Sequence, residues 1–253
     1  MPQKTTIAFD LYGTILSTSS ISASLSSVLS IPPQKAEELA ALWRRYQLEY
    51  TWRSNSMGIY TNFHTITLSS LKHAIPTITP AQTTTILSAY RNNLSAFPEI
   101  PSALTLLAAY ADSVEAYVFS NGTEEMIEAS VNGSPDMWPL SVMFRGLVSV
   151  DKVGKYKPDP GVYEYLVQQT QGGDGGGEKE KVWLVSGNPF DIVGAKAAGL
   201  KACWVDREGT GEWVDQLGSG LGVGGGGRPD LIVRGVDEAV EGIIEWCGGG
   251  RDA

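Results

Sequence analysis

The stretch that most constrains this chain is TTIAFDLYGT, from Thr5 to Thr14. Thr6, Ile7, Ala8 and Phe9 form a run of β-branched, aromatic and small residues, which predicts a short strand buried on both faces. Asp10 ends the run, and Gly13 follows in a tight turn. Open α/β sheets hold their ligands outside the carboxyl ends of their strands, so a carboxylate at this point suggests chemistry. Three later stretches share the pattern. Val114 to Phe119 runs into Ser120, Asn121 and Gly122; Lys181 to Val185 runs into Ser186, Gly187, Asn188 and Asp191; Lys157 lies between them in KYKPD. If these strands are parallel neighbours, all the polar clusters converge on one edge of one sheet.

The rest of the chain fits around such a sheet. From Pro98 onward, helix and strand patterns alternate, which predicts a doubly wound parallel sheet. Strands are expected at Val114–Phe119, Val142–Val150, Val182–Val185, Ala202–Val205 and Leu231–Val233, with helices between them and one closing the chain. Between the first strand and Pro98 there is no strand pattern. A short helix is expected within Ser17–Ser30, a long one over Gln34–Arg53, and further helices over Gly58–His73 and Pro80–Leu94. In the long helix, Leu39, Leu42, Trp43, Tyr46 and Tyr50 recur at spacings of three and four, which predicts its buried face. Arg44, Arg45 and Leu48 fall on the adjacent face. The expected organisation is an α/β core from residues 1–16 and 98–253 with an inserted helical subdomain over 17–97.

Composition narrows the function. A chain of 253 residues with a formal charge of −9 would on average be repelled by nucleic acid or an anionic membrane surface, so neither is expected as a partner. No apolar run reaches membrane-spanning length and the N-terminus lacks a long apolar segment, so a cytoplasmic location is expected. Cys203 and Cys247 sit in apolar surroundings and are expected to be buried, inert thiols. Two glycine-rich stretches, one after Gln171 and one before Pro229, are expected to be flexible surface loops. His64 and His73 lack partners at metal-ligand spacing.

Each polar cluster allows a structural reading beside a chemical one. Asp10 can be a nucleophile or a turn cap; Thr14, able to bond its carboxylate, favours the first. The backbone N–H groups of Leu11 and Tyr12 can form an anion nest. Ser120 and Asn121, like Ser186, Asn188 and Asp191, can act on a ligand or simply start the following helix. Lys157 can pair with Asp10 or be solvated. Arg44 and Arg45 fit a wet helix face, and Trp43, Phe63 and Phe190 fit a core.

Taken together, DLYGT at Asp10–Thr14, SNG at Ser120–Gly122, YKPD at Tyr156–Asp159 and SGNPFD at Ser186–Asp191 resemble the four motifs of the haloacid dehalogenase superfamily. LWRRYQLEYTW at Leu42–Trp52 and GLKACWVDR at Gly199–Arg207 are similar to the L-2-haloacid dehalogenases (type II) in particular. The resemblance spans almost the whole chain. It implies a Rossmann-like core with a helical cap, the substrate between them, and hydrolysis of a 2-haloalkanoic acid to a 2-hydroxy acid with inversion at C2. It implies that Asp10 attacks the halogen-bearing carbon and that Lys157 pairs with it. Thr14, Ser186, Asn188 and Asp191 would orient the nucleophile and the hydrolytic water. Leu11, Tyr12 and Ser120 would hold the substrate carboxylate, and Arg44 and Asn121 would cradle the halide. Tyr163 matches a tyrosine important in the family, while Tyr12, Leu48, Phe63 and Phe190 would wall an apolar pocket. It implies no cofactor and no metal, a small anionic substrate, and a homodimer as one option for assembly.

Phosphatases of the superfamily usually carry an aspartate two residues after the nucleophile, to protonate a leaving alkoxide. Here that position is Tyr12, a phenol and a poor acid at neutral pH; a departing halide needs no proton. Two alternatives stay open: a Mg²⁺-dependent phosphatase using Asp10 and Asp191, and a catalytically idle member that binds a small carboxylate. The chain departs from the family pattern at Arg45 (usually glutamine), Gly187 (serine) and Phe190 (tryptophan), and Pro189 alters the turn. A second cation beside Arg44 would favour a larger or more acidic substrate.

Overall fold

The computed structural model describes residues 4–133, 137–171 and 178–248. In chain order the elements are β1 (Thr5–Phe9), α1 (Ile21–Leu29), α2 (Pro33–Met57), α3 (Phe63–Ala74), α4 (Pro80–Asn92), α5 (Ile100–Ala109), β2 (Val114–Ser120), α6 (Glu124–Asn132), β3 (Phe144–Ser149), α7 (Pro160–Gln171), β4 (Val182–Ser186), α8 (Pro189–Ala197), β5 (Lys201–Val205), α9 (Leu217–Gly220), β6 (Leu231–Val233) and α10 (Val236–Gly248). The six strands form one sheet in the order β3-β2-β1-β4-β5-β6, and every pairing is parallel. Successive connections leave β1 on one side and return on the other, so the direction of winding reverses between β1 and β4. Ligands of open α/β sheets bind at such a reversal.

The apolar run in β1 is buried as its sequence predicts: Ile7, Ala8 and Phe9 are inaccessible, with β2 and β4 on either side. Phe9 registers with Val118 and Val185, so Asp10 leaves the sheet level with the tips of both neighbours. Among the described residues no helix is long and apolar enough to cross a membrane.

Helices α1 to α4 pack on one another between β1 and α5. The chain enters and leaves this helical segment side by side, with Leu16 bridged antiparallel to Ala96, Ser17 N–H bonded to Ser95 O and Phe97 N–H to Ile15 O. Helix α2 runs a turn beyond the expected Arg53, to Met57, where Gly58 supplies the left-handed cap at φ 65°. The next helix accordingly starts at Phe63, not Gly58, with the Asn62 side chain capping Thr65 N–H.

The buried face of α2 also differs from the expected one. It is Ala36, Ala40, Trp43, Gln47, Thr51 and Ser54, whereas Leu39, Leu42, Tyr46 and Tyr50 are only partly buried. Polar groups face the interior because each finds a partner there: Trp43 and Gln47 on α3 and α4, Thr51 on Leu48 O of its own helix, and Ser54 on Ile59 O just beyond it.

Two other expectations are corrected. Cys203 is buried, but Cys247 is exposed, because the last turn of α10 reaches the start of β1, where Cys247 Sγ lies 3.3 Å from Thr5 Oγ1 and the sheet ends. The second glycine-rich stretch is not a free loop: it forms α9 and a short 3-10 turn over Gly224–Gly227 that packs on α8. A Cβ at Gly218 would sit 2.6 Å from Gly226 O, so glycine there allows the backbones to meet. Of the first glycine-rich stretch, residues 172–177 lie outside the described residues, and its end forms a short 3-10 turn over Lys179–Lys181.

Candidate active site

The polar strand tips meet around Asp10. Its Oδ1 accepts from Lys157 Nζ at 3.0 Å, and its Oδ2 accepts from Thr14 Oγ1 at 2.9 Å and Asn188 Nδ2 at 2.8 Å. Only 6% of Asp10 is exposed. Three donors therefore fix both oxygens of a nearly dry carboxylate.

Lys157 is completely buried and bridges two acids. Besides Asp10, its Nζ donates to Asp191 Oδ2 at 2.8 Å and to Phe119 O at 2.9 Å, and lies 4.1 Å from the Phe119 ring centroid. Burial by itself disfavours the charged form of a lysine. Two ion pairs at such distances, in a site that excludes water, oppose that penalty. The pairs win: against the pull of burial, Asp10 and Asp191 hold the Lys157 ammonium above its ordinary range. Burial pushes the Asp191 carboxyl up, with Lys157 opposing.

Asp191 is oriented from its other side by Tyr163, whose hydroxyl donates to Oδ1 at 2.7 Å. Burial first, then the Asp191 charge, push that phenol well above its usual range, so it remains a donor.

Local chain chemistry builds this arrangement. After Asp10 the loop doubles back, with Leu11 O accepting from the N–H groups of Thr14, Ile15 and Leu16. Gly13 takes φ 92°, a conformation that a side chain disfavours. Thr14 also accepts from Gly187 N–H at 2.9 Å, tying the β1 loop to the turn after β4. At Gly187 a Cβ would stand 2.6 Å from Gly13 O, so the glycine found where the family pattern has serine lets these two turns touch. Ser186 Oγ accepts from Asn188 N–H and Ser120 Oγ from Gly122 N–H, each at 3.1 Å; both hydroxyls shape the turn at their own strand end. Asn121 is held by its carbonyl, which accepts from Lys157 N–H at 3.0 Å.

The helical segment contributes Arg44. Its guanidinium donates to Tyr12 O at 3.1 Å, to Asn188 Oδ1 at 3.5 Å and to Gln47 Oε1 at 2.8 Å. Arg45, about 100° around the helix, is exposed over the Tyr46 ring and does not join it. Tyr12 is buried and stacks on Phe63 at 5.9 Å, with its hydroxyl 3.3 Å from Ser130 Oγ. Burial pushes its pKa above the ordinary phenol value.

Two of the expected wall residues are only partly buried. Leu48 is half-buried on α2. Phe190 lies in the first turn of α8, between Asn188, the extended residue that caps the helix, and Asp191. Its ring is turned to meet Trp52 edge-on at 5.4 Å, and it lines a groove of about 600 Å³ with Trp52, Pro158 and Leu217.

Two supporting residues escaped the sequence reading. Gln47 is buried beside Arg44, and its signal was a polar residue four positions after Trp43 on the inward face. Arg207 donates to Thr14 O and Glu99 Oε1, each at 2.6 Å, and bridges β5 to the β1 loop. Nothing local marks it, because its partners are remote in sequence.

Comparison with known proteins agrees with this architecture. A family model described as haloacid dehalogenase-like hydrolase matches residues 4–199. An (S)-2-haloacid dehalogenase of Pseudomonas sp. (strain YL) is 34% identical over 247 residues, covering 96% of this chain and 95% of that protein. Haloacetate dehalogenase H-2 of Moraxella sp. (strain B) is 32% identical, covering 92% and 95%. Among solved structures, a dehalogenase aligns with a TM-score of 0.76 at 27% identity, over 94% of this chain and 96% of that one. The L-2-haloacid dehalogenase of Xanthobacter autotrophicus aligns at 0.75 over 96% and 99%; at 24% identity it speaks for the fold alone. With a family model matching most of its length and relatives above 30% identity end to end, the chain belongs to the haloacid dehalogenase-like hydrolases.

Proposed function

We propose that this protein hydrolyses 2-haloalkanoic acids to 2-hydroxy acids, with inversion at C2, through an ester on Asp10. The observation that carries the proposal is the buried Asp10–Lys157–Asp191 array, in which one ammonium bridges two carboxylates. It leaves Asp10 ordered and nearly free of water, as displacement at carbon requires. An Asp10 oxygen attacks C2, and the carbon–halogen bond breaks with its electron pair leaving on the halide. Water then adds to the ester carbonyl, the ester's bond to the substrate oxygen breaks, and each turnover releases one halide and one proton.

In this proposal Thr14, Asn188 and Lys157 hold the nucleophile, and Asp191, set by Tyr163 and with Ser186 nearby, orients the hydrolytic water. The Leu11 and Tyr12 backbone and Ser120 receive the substrate carboxylate, while Arg44 and Asn121 stabilise the departing halide. Phe63, Tyr12, Leu48 and Phe190 line the apolar side, with residues 17–97 acting as a cap on a core of 1–16 and 98–253. Tyr12 supports halide over alkoxide as the leaving group, because a buried phenol held above its usual pKa is a far weaker general acid at neutral pH than a carboxyl at this position would be. The names of the curated relatives point to the same substrates.

A single turnover with enzyme in excess, run in ¹⁸O water with a 2-haloacid, tests the proposal. Heavy oxygen should enter the Asp10 carboxylate, detected by mass spectrometry of its peptide. Label confined to the product hydroxyl would overturn it.

A further inference from the structure

Gln47 is a polar side chain on the innermost stripe of α2, 1% exposed, among Trp43 and Tyr90. Burying an amide there costs free energy unless its polar atoms are paired, and each is. Its Oε1 accepts from Arg44 Nη1 at 2.8 Å and from the Tyr90 hydroxyl at 3.2 Å, while its Nε2 donates to Thr67 Oγ1 at 2.8 Å.

The network also dictates which way the amide faces. Thr67 spends its hydroxyl proton on Phe63 O at 2.7 Å, so towards Gln47 its oxygen can only accept. The NH₂ group must therefore face Thr67 on α3, and the carbonyl must face Arg44. With Nη1 held in this way, the guanidinium cannot roll about its axis, and its other edge is presented to Tyr12 O and Asn188 Oδ1 beside the nucleophile. Arg44 is thus oriented through Gln47 on its own helix and Thr67 on α3, while the Tyr90 hydroxyl only satisfies the second lone pair of the Gln47 carbonyl.

We propose that Gln47 is a positioning residue that locks the Arg44 guanidinium and thereby sets how well the enzyme expels the poorer halides. The proposal rests on the dehalogenase reading above. A preorganised cation lowers the barrier most where leaving-group charge is hardest to stabilise, so a guanidinium free to roll costs more with chloride than with bromide.

The test is the ratio of kcat/KM for 2-bromopropionate to that for 2-chloropropionate, a quantity that reports on steps up to halide departure. In Gln47→Leu the ratio should rise about tenfold. Tyr90→Phe leaves the Gln47–Arg44 bond in place and should leave the ratio unchanged. Because Gln47→Leu strands the Tyr90 hydroxyl, the double variant Gln47→Leu/Tyr90→Phe removes that orphan; it should recover thermal stability and still show the raised ratio. Thr67→Val, nearly isosteric, frees the amide to turn over and should raise the ratio about threefold, and it serves if the other variants do not fold. Equal losses on both substrates, with the ratio unmoved, would mean that Gln47 is merely structural and would overturn the inference. No halide release by the wild type would overturn the function itself.

Discussion

The sheet edge and the helical segment reach the site by different means. At the sheet edge, Asp10, Lys157, Asp191 and Thr14 bond one another at 2.8–3.0 Å, from the loop after β1, the segment between β3 and α7, and the first turn of α8. The neighbouring strands β1 and β4 lie about 4.8 Å apart, and the long Lys157 side chain reaches them from the far side of β2. The helical segment meets the core across a seam of separate polar contacts. Arg44 reaches Tyr12 O and Asn188, the Asn55 amide pairs with both backbone groups of Tyr156, and Tyr60 bonds Asp151. The contrast teaches that the nucleophile is held by the fold itself, whereas Arg44, which shares the leaving halide with Asn121 in the proposal, depends on docking one set of helices against it.

Four substitutions would break or sharpen this contrast, taken from the largest expected effect downward. Asp10→Asn removes the nucleophile and should lower kcat by about 10⁴-fold or more, with ¹⁸O incorporation at residue 10 abolished; continued halide release would contradict the assignment. Lys157→Met leaves two carboxylates facing each other, and activity should fall about 10²- to 10³-fold. Its stability should also drop by about 3–5 kcal/mol, read as a lower Tm.

The pH dependence of that loss has a definite sign. The folded-state pKa of Lys157 is raised above its ordinary value of 10.5, so the ammonium's contribution is complete below that value. It is lost only as pH rises through the raised one. The Tm difference between wild type and Lys157→Met should therefore not shrink between neutral pH and about pH 10, and should shrink only above it; shrinkage already near neutrality would refute the pairing.

Across the seam the effects should be smaller. Arg44→Lys keeps the charge but cannot bond Gln47 and Tyr12 O together, and should cost about 10- to 100-fold in kcat/KM with little change in Tm. Asn55→Ala deletes both bonds to Tyr156 at the seam, so Tm should report a loss of about 1–2 kcal/mol while kcat changes by less than about threefold. A larger effect of Asn55→Ala on kcat than of Arg44→Lys would mean that cap docking, not the guanidinium, governs the reaction.

Much of this was legible in the residues. Buried parallel strands announce themselves as short continuous apolar runs, so β1, β2, β4 and β5 were found within a residue or so. Their polar ends pointed to Asp10, Ser120 and Asn188, and four motifs in order suggested the family. The inserted helices were less legible. The α2 pattern of Leu39, Leu42, Tyr46 and Tyr50 pointed to a face that is only partly buried, because the innermost stripe is lined by Gln47, Thr51 and Ser54, which bond instead of merely filling space. Cys247 misled for a related reason: apolar neighbours in sequence do not say where a helix outruns its sheet.

By itself the amino-acid order determined the alternating core, the carboxylate at its first strand tip, and the absence of an acid two residues beyond it, since each is a local pattern. Only the tertiary structure decided that Lys157 stands between Asp10 and Asp191, that Arg207 braces the β1 loop from β5, and that Phe190 meets Trp52 edge-on. It also decided that a glutamine holds the arginine. These are meetings of side chains far apart along the chain, and their partners are chosen by strand order and helix packing, which no local window of sequence contains.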